Sequence, residues 1–135
     1  MKNRLLIFTV VLLPALAFSL LGCAVRSTPP RLENAVTARD SQGEEPTAVF
    51  DGEDTLYAVT DLKNAPDDTT VRAVWTAVDV EGVEPDFQIQ ETRLTTGSNR
   101  IYFELTNPAP WPTGHYRVDL YLSDQLQESL AFEVR

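Results

Sequence analysis

The sequence predicts an all-β fold, an antiparallel β-sandwich of about seven strands. Three observations lead there. Apolar residues from Val49 onward follow a two-residue period, with almost no helical one. Clusters of Pro, Gly, Asn and Asp interrupt them at the spacing of short strands. The last three apolar stretches alternate most clearly, as strands do when one face of a sheet is buried and the other solvated.

The elements follow in order. Val36 and Ala38 begin a first edge strand. Residues 56–62 are apolar and end in Lys63-Asn64-Ala65-Pro66-Asp67-Asp68, a run of turn formers. Residues 69–80 are rich in β-branched side chains, hold Trp75, and are broken by residues 81–86. Residues 87–94 form the next strand, closed by residues 95–99. In residues 100–105, Ile101, Phe103 and Leu105 point one way and Tyr102 and Glu104 the other. Residues 106–114 hold Pro108, Pro110 and Pro112, which removes them from any central ladder. Residues 116–122 turn Tyr116, Val118, Leu120 and Leu122 inward, and Ser123-Asp124-Gln125 makes a hairpin turn into residues 126–134. Burying each large apolar side chain contributes roughly 1.5–3 kcal/mol. That core suffices without a disulfide.

Trp75 in an early central strand and the late run Gly114-His115-Tyr116-Arg117-Val118-Asp119-Leu120 resemble an immunoglobulin-like or fibronectin-type sandwich. Bacterial surface modules of that class often end in a similar Gly-x-Tyr-x-Val-x-Leu strand, a hairpin and a final Phe-x-Val, here Phe132-Glu133-Val134. The resemblance covers residues 49–135 and implies an immunoglobulin-like antiparallel sandwich. The antibody type is excluded, because its paired cysteines are missing. By the same resemblance Tyr116 is a tyrosine-corner residue, its hydroxyl bonding backbone of the preceding loop. A fold of this class hosts many functions and implies no activity.

The amino-terminal segment carries a different signal. Lys2 and Arg4 precede an apolar stretch, residues 5–21, interrupted by Pro14 and short of the roughly 20 residues that cross a bilayer comfortably. Leu20-Leu21-Gly22-Cys23 resembles a bacterial lipobox, although Leu21 is less usual there than Ala or Ser. That resemblance implies a diacylglycerol thioether on Cys23, cleavage before it, and acylation of the new amino terminus with a fatty acid such as palmitate. The competing reading is an ordinary signal peptide or membrane anchor with an incidental cysteine. Ala24 stands where an Asp would resemble the inner-membrane retention signal, which favours the outer membrane in a two-membrane cell. In other cells the anchor would lie on the outer face of the plasma membrane. The expected organisation is a signal peptide over 1–22, a lipidated Cys23 with a flexible tether over 23–46, and the sandwich over 47–135.

Composition closes several routes. Acids outnumber bases 20 to 11 in 135 residues, so no basic face is available for a phosphate backbone and no nucleic-acid partner is expected. Lys2 and Arg4 are two of those 11 bases, so the mature chain carries 9 bases against 20 acids, a net charge of −11. Anionic headgroups repel such a surface. One cysteine and one histidine exclude an internal disulfide and the usual zinc ligand sets.

Little chemistry is legible. His115 reads either as a general acid–base or as an exposed residue at the start of a strand. No Gly-x-Ser-x-Gly elbow, phosphate loop or zinc motif occurs. The acidic loops Asp51-Gly52-Glu53-Asp54, Asp67-Asp68 and residues 79–86 offer oxygen ligands for calcium but match no calcium-loop signature. Trp111, in the proline-rich loop, reads either as an exposed ligand platform or as a lid over one end of the core. With Trp75 inward alongside Val71, Ala73 and Ala77, the opposite face carries Val74, Val78 and Val80. That stripe is a partner surface, a face covered by the chain itself, or scattered surface valines. The expected protein is a lipid-anchored, non-catalytic binding, adaptor or structural module of the cell envelope, with an envelope protein as partner and no cofactor. Its alternatives are a calcium-binding module, a carbohydrate-binding module using Trp111, Tyr102 and Tyr121, and a small envelope enzyme.

Overall fold

The computed structural model describes residues 28–135; the expected signal peptide, residues 1–22, and Cys23 lie outside them. The described residues form eight strands and no helix: β1 (Arg31–Ala38), β2 (Val49–Phe50), β3 (Leu56–Lys63), β4 (Thr69–Val80), β5 (Phe87–Thr96), β6 (Asn99–Leu105), β7 (Gly114–Leu122) and β8 (Gln125–Val134). They make a three-stranded sheet, β1-β3-β6, and a five-stranded sheet, β2-β8-β7-β4-β5. All pairings are antiparallel except β2 with β8.

The strand count rises by one over the expected seven because Val49 and Phe50 form a separate strand against the end of β8. Its two residues are too short to show a period, yet Phe50 is fully buried and meets Phe132 edge-on at 5.5 Å. The boundary of the sandwich also moves. Arg31 pairs with Lys63 and Leu32 with Leu62, so the folded domain begins inside the stretch expected to be tether and not at residue 47. A bulge at Asn34, whose φ is +52°, breaks the two-residue period of β1.

The two sheets enclose one core. Trp75 is fully buried on its inner face, together with Val71, Ala73 and Ala77. Phe132 packs edge-on against Trp75 at 5.9 Å and stacks on Tyr116 at 5.4 Å. The β7–β8 turn is tight because Ser123 and Asp124 both take positive φ, 47° and 66°, which matches the twist of a hairpin. At the start of β7, Gly114 has φ +153° and sits against β4 so closely that a Cβ would come within 2.4 Å of the Asp79 carbonyl oxygen. Only glycine allows this approach.

Candidate functional site

The outward valine stripe expected on β4 does not form. Ala77 pairs with Tyr116 and Asp79 with His115, which leaves Val78 as the extra residue of a bulge. One extra residue inverts every later side chain. Val80 therefore turns inward and joins the core at 5% exposure. Val74 does lie on the outer face, but it is buried between its cross-strand neighbours Glu91 and Asp119. Asp119 in turn accepts hydrogen bonds from Arg117 Nε at 3.0 Å and Ser129 Oγ at 2.5 Å. Arg72 lies over the Tyr121 ring at 3.9 Å with Glu91 3.6 Å away. A polar lattice of the chain's own side chains covers this face, and only half-buried Val78 keeps partial access.

Trp111 is not an exposed platform. It is 8% exposed and belongs to the core cluster. Its indole Nε1 donates to the Asp54 carbonyl at 3.0 Å, and its backbone N–H donates to the Gly52 carbonyl at 2.7 Å. Its ring meets Tyr116 edge-on at 6.3 Å. Tyr116 Oη donates to the Pro112 carbonyl at 2.6 Å, the corner that the family resemblance implied. Burial raises the Tyr116 phenol above its ordinary pKa. Every peptide bond among the described residues, Trp111–Pro112 included, is trans.

His115 is exposed, and its register partners on either side are Asp79 and Glu133. Among the described residues no three His, Cys, Asp or Glu side chains converge as metal ligands. Asp40 is held below its ordinary pKa by the backbone N–H groups of Glu45, Glu44 and Gln42, which ties the loop after β1 into a compact turn. Asp61 is likewise lowered, first by the Asn34 amide and then by Arg100. Both carboxylates hold structure in place.

What the strands bring together lies at one pole of the sandwich. The β4–β5 turn, residues 81–86, and the β6–β7 loop, residues 106–113, become neighbours because β4 pairs with β7 from Val71–Leu122 up to Val80–Gly114. Between them opens an apolar pocket of about 200 Å³. Val83, Phe87 and Ile89 form one wall, Trp111 and Pro112 the other, and Tyr116 lies at its base. Phe87 is 51% exposed. Beside it a more polar cleft of about 360 Å³ runs between residues 52–55 and residues 106–111. The β4–β5 turn that carries Val83 is acidic. Glu81, Glu84 and Asp86 are all exposed, and no basic residue stands between them in the chain. None of the three pairs with a described arginine or lysine. The sequence reading missed Phe87 and Val83 as site residues. An aromatic residue beside an acidic turn was the only signal, and it reads equally well as the start of a strand.

No family model and no curated protein matches the sequence. Among solved structures, the chain is similar to an immunoglobulin-like protein from Pseudomonas aeruginosa, at 14% identity and a TM-score of 0.53, covering 82% of this chain and 99% of that one. It is also similar to part of an alkylpurine DNA glycosylase from Pseudomonas fluorescens, at 16% identity and a TM-score of 0.51. A β-glucosidase from Listeria innocua matches at 15% identity and a TM-score of 0.54. Each of these two covers 78% of this chain, which spans only 30% of the glycosylase and 16% of the glucosidase. At such identities the likeness shows the fold alone: the domain is an immunoglobulin-like β-sandwich.

Proposed function

We propose that this chain is a lipid-anchored, non-catalytic binding module of the cell envelope, held by an acylated Cys23 and presenting the pole around Phe87 to a protein partner. One observation carries the reading: the chain enters the domain at the pole opposite the pocket. Pro29 and Pro30 lie beside Leu122, Ser123 and Gln125, where β7 ends, whereas the pocket surrounds Tyr116, where β7 begins. The nine residues of β7 make eight steps of roughly 3.3 Å, which separates its two ends by about 26 Å. From Cys23 to Arg31 the chain also makes eight steps and reaches at most about 29 Å when fully extended. An anchor at Cys23 therefore attaches the domain at its entry pole, with the pocket at the far end of the sandwich. The acids repel anionic headgroups, so the domain does not lie down on that surface.

The test is fatty-acid labelling of cells expressing the wild-type chain or Cys23→Ala, with membrane sedimentation. Labelling and sedimentation are expected for the wild type and lost in the variant. Equal labelling of both overturns the anchor. A second readout checks the orientation: a spin label at Asp67→Cys should be relaxed by membrane-surface probes more strongly than one at Glu84→Cys. The reverse order would overturn the geometry.

A further inference from the structure

We infer that the pocket receives one aliphatic or aromatic side chain from a basic segment of a partner protein, with the acids of the β4–β5 turn pairing to lysines or arginines that flank the anchor. This deepens the binding-module reading and rests on it. The pocket's size sets the first limit. Its 200 Å³ falls below the ~300–1,000 Å³ of sites that enclose small-molecule ligands. It fits a single anchor side chain. Its walls are apolar, from Val83, Phe87 and Ile89 on one side to Trp111 and Pro112 on the other, with Asn107 the one polar side chain at the edge. A half-exposed Phe at the mouth of such a pocket keeps apolar surface in water that an incoming anchor would remove.

Charge selects the occupant. Glu81, Glu84 and Asp86 are exposed in the turn that carries the pocket residue Val83 and leads into Phe87, and none forms an ion pair with a described arginine or lysine. Exposed like charges raise the local negative potential and steer cationic partners in. A second copy of this chain would bring the same acids to the same rim and be repelled. An anionic membrane or a nucleic acid meets the same repulsion. A basic peptide segment satisfies both halves of the site, the hot-spot anchor in the pocket and the charged rim around it.

The experiment titrates the full-length chain, in a neutral detergent, with the peptide Lys-Arg-Phe-Arg-Lys while the methyl resonances of Val83 and Ile89 are followed. Saturable shifts with a Kd no weaker than about 1 mM are expected. Replacing the central Phe by Ala, or the four basic residues by Glu, should each weaken binding at least tenfold. So should Phe87→Ala and the double variant Glu84→Lys/Asp86→Lys, with melting temperatures unchanged. Cys23→Ala should bind the peptide as the wild type does, so a failed anchor leaves this result standing. Absence of saturable shifts overturns the proposal. Equal binding of the Ala-centred peptide overturns the anchor pocket, and equal binding of the Glu-flanked peptide overturns the acidic rim. Shifts of the same methyls by anionic vesicles, matching those of the peptide, would assign the site to lipid instead.

Discussion

Trp111 and Phe87 face the same pocket from opposite walls, and the chain holds them in opposite ways. Trp111 sits among three prolines whose fixed backbone angles limit the loop, and two hydrogen bonds tie it to residues 52 and 54. Phe87 stands at the end of an edge strand, paired only with Ala77 on one side, and half its surface is open. One aromatic side chain closes the core; the other is left at the surface. The lesson is that an aromatic residue in a loop is placed by its backbone's hydrogen-bond partners more than by its distance from a strand.

The strongest way to break the comparison is to truncate the buried side. Trp111→Ala removes a side chain that is 8% exposed and orphans the Asp54 carbonyl. It should cost about 3–5 kcal/mol in denaturant unfolding, the range for large-to-small aromatic changes in cores. Trp111→Phe keeps most of the packing and loses chiefly the indole N–H, so it should cost clearly less. Equal losses in the two variants would mean that the hydrogen bond to Asp54, and not packing, holds the lid.

The same contrast shows how far the sequence carries the reading. Alternation in β6, β7 and the end of β8 is visible because one face of each strand meets the core, and Tyr116 is visible because the Gly-x-Tyr strand is a resemblance with a physical basis. The outward valine stripe fails for a local reason. Periodicity assumes an unbroken ladder, and the single extra residue at Val78 turns Val80 from the surface into the core. Only the Val36–Ala38 end of β1 is legible, because the left-handed Asn34 interrupts the period of a strand that begins at Arg31. The pocket fails for a non-local reason. Residues 83–89 and 107–116 meet only after β4 has paired with β7 across an intervening sheet crossing, and no short window of sequence contains that closure.

A middle-sized effect sharpens the role of the corner beneath the pocket. Tyr116→Phe deletes the hydrogen bond to the Pro112 carbonyl and should cost about 0.5–1.5 kcal/mol, the net worth of one such bond. It should also change the alkaline limb of the stability curve. Burial raises the Tyr116 phenol above its ordinary value of 10.0 in the folded state, so its contribution is complete below pH 10.0. Above that pH the unfolded chain releases the proton first, and stability falls as pH rises toward the folded-state value. Removing the hydroxyl should flatten part of that decline. Tyr57, raised mainly by burial and next by Glu104, would account for a part that persists.

The smallest effect is expected on the open wall, and its smallness is the point. Phe87→Ala changes a residue that is 51% exposed, on an edge strand, with its backbone pairing to Ala77 intact. Stability should change by less than about 0.5 kcal/mol, as for ordinary surface positions. If the variant instead loses 2 kcal/mol or more, in the range of buried large-to-small changes, Phe87 is a core residue. Its exposure would then be the edge of the hydrophobic interior and not a surface kept open for a partner. If stability holds while the basic peptide no longer binds, the two walls divide as their hydrogen bonding indicates. Trp111 would serve the fold and Phe87 the partner.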